Sequence, residues 1–263
     1  MTLRSPLTRR AVLRGAVSAA SAAVVVPLAA CGGGDSGPSL SEGSLLSRFM
    51  THQVRWRMAV PGSGPARGLV VALHGFGSNA DMAFDLGLPD FVDQTRTALV
   101  SVDGGNGYWH ARDDGTDSGS MVREELIPLA LGHARLPEGM PVTLLGWSMG
   151  GFGALLIASD LGPHRVRKVV AVSAALWLHG SQTPAAAYDG EEDFDQHTVF
   201  RRTTRLHSMP VRLDCGTSDP FVAANRQLAE RLPNAVHHFT TGSHDFAYWH
   251  SRAADQLRWT AGA

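Results

Sequence analysis

The chain has 263 residues, a formal net charge of −1, 44% hydrophobic residues and 18% charged residues. That balance belongs to a globular chain and argues against disorder, and the absence of a basic stripe or of aromatics interleaved with arginine argues against a nucleic-acid partner. Without its opening thirty or so residues, the length suits one domain.

Residues 1–31 read as an export signal. Arg9 and Arg10 precede an apolar, small-residue stretch from Ala16 to Ala30, the layout of a secretory signal, and the arginine pair resembles a twin-arginine signal. The stretch is short and rich in Ser and Ala for a membrane span, and it ends in Leu28-Ala29-Ala30-Cys31, which resembles a bacterial lipobox. Cys31 is thus the expected lipidation site, with a non-lipidated cleavage site or an uncleaved membrane anchor as alternatives. Residues 32–47 lack apolar periodicity and read as a flexible linker. The expected location is outside the cytoplasm, as a cell-surface or periplasmic lipoprotein held by lipid on Cys31, or as a secreted protein. Cys215 is the only other cysteine and has no partner if Cys31 is acylated, so a packed core and not a disulfide framework would then stabilise the fold.

Residues 48–263 form the expected catalytic domain. Strands are predicted over Val54–Val60, Gly68–Leu73, Ala98–Val102, Val142–Leu145, Val166–Val172, Val211–Asp214 and Ala235–Thr240. Helices are predicted over Met82–Thr95, Glu124–Ala134, Gly150–Leu161, Phe221–Leu232 and Tyr248–Thr260. This alternation implies an α/β fold with a mostly parallel sheet covered by helices on both faces, and ligand sites beyond the carboxyl ends of the strands. Between residues 178 and 208 the periodicity lapses, which marks a possible lid or an excursion over the sheet edge.

Gly146-Trp147-Ser148-Met149-Gly150 follows a buried-strand pattern and opens a helix-like run. A serine on so sharp a turn is presented above the sheet at a helix N-terminus, the nucleophile-elbow arrangement. The strand Gly68–Leu73 runs into His74-Gly75-Phe76-Gly77, a loop whose glycines let backbone amides approach an oxyanion. The expected donors are the N–H groups of Met149 and Phe76, with Gly75 or Gly77 as neighbouring alternatives. His74 is expected to brace this loop.

A serine hydroxyl needs an imidazole to take its proton and a carboxylate to hold the imidazole, here in the order acid, then histidine. Of the histidines beyond Leu206, only His244 lies in the loop after the last predicted strand; His237 and His238 fall within that strand and His250 in the terminal helix. Asp219, in the turn after the strand Val211–Asp214, takes the acid's place, and Asp214 within the strand competes with it. Asp245 adjoins His244 too closely to orient it. Tyr108, Trp109 and Trp147 are candidate pocket residues, with packing as the alternative. The histidines are scattered and no helical His-x-x-x-His pair accompanies a glutamate, so no metal centre is expected.

These segments resemble the esterase family that includes esterase D, feruloyl and acetylxylan esterases and the antigen 85 mycolyltransferases. The resemblance lies in His74-Gly75-Phe76-Gly77, Asp103 to Trp109, Glu124 to Pro128, Gly146 to Gly151, Gly216-Thr217-Ser218-Asp219, and Gly242 to Trp249. It implies an α/β-hydrolase fold, no metal or organic cofactor, and carboxylic ester hydrolysis through a serine acyl-enzyme on a small-molecule or polysaccharide-linked ester. Acyl transfer to a sugar or lipid alcohol uses the same triad and is the alternative. A non-enzymatic surface binding protein is a third reading, against which the ordered triad speaks.

Overall fold

The computed structural model of the chain describes residues 24–27 and 37–262. Arg9, Arg10 and Cys31 lie outside the described residues. Among the described residues, nine strands form one sheet in the order β1-β2-β3-β5-β4-β6-β7-β8-β9. They are β1 (Val24–Pro27), β2 (Ser39–Leu46), β3 (Gln53–Val60), β4 (Gly68–Leu73), β5 (Thr97–Val102), β6 (Val142–Trp147), β7 (Val166–Val172), β8 (Val211–Gly216) and β9 (Val236–Thr240). Strands β4 to β9 pair in parallel, while β1, β2 and β3 are antiparallel to their neighbours.

Strand alternation decides which face each side chain covers. In β4, Leu69, Val71 and Leu73 enter one hydrophobic core and Val70 and Ala72 the core on the opposite face. Both faces are buried, as the near-continuous apolar runs of a parallel sheet require. The first core packs under α3 (Ser118–Met121), α4 (Ile127–His133), α5 (Met149–Leu161) and α8 (Val222–Arg231); the second packs under α1 (Met82–Asp85), α2 (Val92–Thr95) and α9 (Phe246–Ala261). Two short helices, α6 (Glu191–His197) and α7 (Thr203–Leu206), lie in the excursion after β7. The buried amine of Lys168, the only lysine, donates from β7 to the carbonyls of Trp259 and Gly262 at 2.9 and 2.6 Å and ties down the end of α9. Among the described residues no helix is long and apolar enough to cross a membrane.

Two expectations are corrected here. Residues 39–46, inside the stretch read as a linker, form β2, paired with β3 at eight positions from Ser39–Val60 to Leu46–Gln53. The strand is poor in apolar residues because it lies near the sheet edge, with only Leu45 fully buried. The helix predicted over Met82–Thr95 breaks into α1, a 3-10 turn and α2, because Gly87 adopts a left-handed conformation (φ 75°) and Pro89 follows it.

Every parallel strand ends at the same rim of the sheet. The segments beyond β4, β5, β6, β7, β8 and β9 carry Phe76, Tyr108, Ser148, Ser173, Asp219 and His244 respectively. The chain leaves β4 for β5 on one side and returns to β6 on the other, so the crevice at this rim is a topological switch point.

Candidate active site

Ser148 sits between the last residue of β6 and the first of α5 with φ 54° and ψ −117°, a conformation costly for any residue with a side chain. The surroundings enforce it. Its N–H donates to Val172 O at 2.9 Å and its carbonyl accepts from Phe152 and Ala175 at 3.1 and 3.0 Å. A Cβ at Gly146 would overlap the Gly150 carbonyl, and one at Gly150 would overlap the Leu73 carbonyl, so the turn closes only with glycine at both positions.

His244 Nε2 lies 2.9 Å from Ser148 Oγ, and His244 Nδ1 lies 2.9 Å from Asp219 Oδ2. With the Nδ1–H donating to the carboxylate, Nε2 presents a lone pair toward the serine hydroxyl. The other carboxylate oxygen, Oδ1, accepts the Phe221 N–H at 2.8 Å. Burial alone would push the Asp219 carboxyl up, but hydrogen bonds from His244, Phe221 and Ser173 outweigh it and hold the carboxyl below its ordinary value. Trp249 Nε1 donates to Ser173 Oγ at 3.0 Å. The rings of Phe221 and Trp249 meet the His244 ring edge-on, at 5.3 and 5.1 Å.

The competing residues are engaged elsewhere. Asp214 is fully buried, takes both carboxylate oxygens to Arg212, and accepts from His238 Nδ1 and Gln256 Nε2 at 2.9 and 3.0 Å. His74 is buried, with Nδ1 against Gly75 O at 2.8 Å and Nε2 accepting from the Gly104 N–H at 3.0 Å, so it braces the loop. Burial lowers its pKa and keeps it neutral in that role. Asp245 caps α9 by accepting the Tyr248 N–H at 2.8 Å.

The loop after β4 passes directly beside the serine, since a Cβ at Gly75 would stand 3.5 Å from Ser148 Cβ. Within it the Gly75 N–H points to Met82 Sδ at 3.3 Å and the Gly77 N–H to Asn106 Oδ1 at 2.7 Å. Of these three amides, only that of Phe76 lacks a partner among the described residues.

The three candidate pocket residues separate. Trp147 is fully buried in the second core, because in β6 it follows the alternation of Leu145 and points away from α5. It does not line the site. Trp109 is fully buried too, its ring 5.1 Å from that of His74 and packed where Gly104 and Gly153 leave room. Tyr108 alone borders the rim, with ring contacts to exposed Phe76 at 6.1 Å and to Trp177 at 5.8 Å, while Trp177 meets Phe221 at 5.4 Å. Phe76, Tyr108, Trp177 and Phe221 thus form an aromatic run that ends against His244. Ser173, Trp177 and Phe221 were not singled out from sequence; their signal is position, since the first two follow β7 and the third follows Asp219.

The sheet order, the elbow and the rim crevice define an α/β-hydrolase. Residues 112–260, more than half of the chain, match the family described as "Putative esterase", and the chain belongs to that family. No curated protein matches the chain by sequence. Solved structures share its fold at low identity. A fluorophosphonate-binding serine hydrolase, FphF of Staphylococcus aureus, is 14% identical with a TM-score of 0.76, covering 86% of this chain and 100% of its own. A ferulic acid esterase is 19% identical with a TM-score of 0.74, covering 86% and 99%. An S-formylglutathione hydrolase from Agrobacterium tumefaciens is 17% identical with a TM-score of 0.69, covering 87% and 96%.

Proposed function

We propose that the chain hydrolyses carboxylic esters through an acyl-enzyme on Ser148. The observation that carries this reading is the pair of 2.9 Å contacts that link Ser148 Oγ to His244 and His244 to Asp219. His244 Nε2 takes the hydroxyl proton as Oγ attacks the ester carbonyl, and the imidazolium formed is stabilised by Asp219. The N–H of Phe76 and of Met149 receive the oxyanion; the partnered amides of Gly75 and Gly77 support Phe76 as the donor from this loop. The protonated Nε2 then gives its proton to the leaving alcohol, and a water molecule repeats the sequence to release the acid. The aromatic run from Phe76 to Phe221 favours an apolar or aromatic acyl group, the chemistry that the name of the ferulic acid esterase also carries.

Ser148→Ala should lower turnover of p-nitrophenyl butyrate by about 10⁴-fold or more while thermal unfolding stays near wild type. Retained turnover in a folded variant sinks the reading. We further propose that residues 1–31 direct export and that Cys31 carries lipid, on the strength of the Arg9-Arg10 pair and the Leu28-Ala29-Ala30-Cys31 ending; cleavage before Cys31 then removes β1 and leaves β2 as the sheet edge. Labelled palmitate should enter the wild-type protein in bacterial cells and not Cys31→Ser.

A further inference from the structure

The excursion after β7 meets the loop after β5 at a cluster separate from Ser148. Asp193 and His197 stand one turn apart on α6, and both face His110. His197 Nδ1 lies 2.7 Å from Asp193 Oδ1, and His110 Nδ1 lies 3.7 Å from the same oxygen. One ligand atom from each residue falls within 4.8 Å of the other two, and the two imidazole rings are 4.3 Å apart.

Asp193 Oδ2 accepts the Asp189 N–H at 2.8 Å, which leaves Oδ1 toward the two imidazoles, and both nitrogens of His110 face carbonyl oxygens. His110 Nε2 faces Ala187 O at 3.0 Å and its Nδ1 faces Ala111 O at 2.9 Å. A neutral imidazole has one N–H, so either tautomer leaves a ring lone pair against a carbonyl oxygen. Placing the proton on Nε2 satisfies Ala187 and leaves the Nδ1 lone pair against two acceptor oxygens, Ala111 O at 2.9 Å and Asp193 Oδ1 at 3.7 Å, a repulsion that a bound cation would relieve. That is how a metal-binding histidine is held, its far N–H fixed on a carbonyl and its near nitrogen free to coordinate. His197 Nδ1 likewise meets only the Asp193 carbonyl, at 3.0 Å, and the Asp193 carboxylate.

We propose that His110, Asp193 and His197 form a structural binding site for a divalent cation of the zinc class. Two imidazoles and one carboxylate are ligands this ion favours, with water completing a tetrahedron. Ligand atoms about 2.1 Å from a tetrahedral ion lie about 3.4 Å from one another. The observed 2.7 and 3.7 Å bracket that spacing, so small side-chain rotations complete it. A cleft lined by Arg112, Asp189, Glu191, Glu192, Asp193 and His197 opens beside the cluster; Arg112 pairs with Asp189 at 2.6 Å, and the remaining carboxylates keep the rim acidic, which favours cation entry. The ion clips α6 onto the loop that carries Tyr108. His110 stacks on Tyr188 at 5.4 Å, and Tyr188 contacts both Tyr108 and Trp177, so the clip braces the aromatic run without reaching Ser148.

The test uses the purified full chain, stripped with a chelator and titrated with Zn²⁺ alone, and with Co²⁺ for its visible absorption. It is run in the Ser148→Ala background as well, so its result is independent of the proposed hydrolysis. The expected result is one ion per chain, the intense visible bands of tetrahedral Co²⁺, and a rise in Tm of roughly 5–10 °C at saturating Zn²⁺. His197→Ala, at a partly exposed position, should weaken uptake at least tenfold, and Asp193→Asn should do the same; His237→Ala, on β9, should bind like wild type. Equal uptake by wild type and both ligand variants, or octahedral Co²⁺ bands, overturns the site. Absence of any uptake also overturns it and leaves protons alone between the two imidazoles and Asp193.

Discussion

Asp214 and Asp219 are buried carboxylates within β8 and just beyond its end, each beside a histidine, and their other partners separate their roles. Asp214 neutralises buried Arg212, so Asp214→Asn leaves a buried charge unpaired and should cost about 3–5 kcal/mol of stability while kcat of the remaining folded enzyme stays near wild type. Asp219→Asn should do the reverse, lowering kcat about 10⁴-fold with a modest change in Tm, because the wrong His244 tautomer is then favoured. Urea unfolding and steady-state kinetics on the two variants check both. Ser173→Ala removes one donor to the Asp219 carboxylate and should lower kcat tenfold or more with KM little changed. Cys215, beside Asp219, has its thiol pushed up to about 12 by burial first and by the carboxylate second. Its peptide should therefore stay unlabelled by iodoacetamide at pH 8 until the protein is unfolded. Asp219 and His244 were legible because each must follow a strand in a fixed order; Ser173 was not, because a lone serine after a strand has no composition to mark it.

At the scale of elements, the parallel strands were legible nearly to the residue. Burial on both faces leaves Gly68–Leu73 and Val169–Val172 as apolar runs bounded by polar residues, which periodicity detects directly. Strand β2 was invisible for the opposite reason, since pairing with β3 through the backbone asks little of Ser39, Ser41, Gly43 or Ser44. Trp147 shows a subtler loss: its place beside the serine suggested a pocket, but a residue adjacent to Ser148 in sequence points to the other side of the sheet. The elbow itself is a constraint between elements, for Gly150 lets α5 start directly against the end of β4. Gly150→Ala should destabilise the protein by at least about 1–3 kcal/mol, read by urea unfolding, although the substitution favours helix in isolation.

For the whole molecule, the lowered Asp219 carboxyl links the site to stability. The unfolded carboxyl takes up its proton near pH 4, while the folded one stays ionised below that, so its contribution is complete above about pH 4 and is lost as the pH falls through the lower folded value. Unfolding free energies measured from pH 6 to 2 should therefore fall more steeply for wild type than for Asp219→Asn. The tie between Lys168 and the end of α9 has a chemical corollary. An enzyme that carries activated acyl groups endangers its own lysines, yet the single ε-amino group of this chain is buried and hydrogen-bonded to two carbonyls. Its body is thus protected against acylation of its own lysine side chain, and amine-directed coupling to a surface would leave the folded domain unmarked.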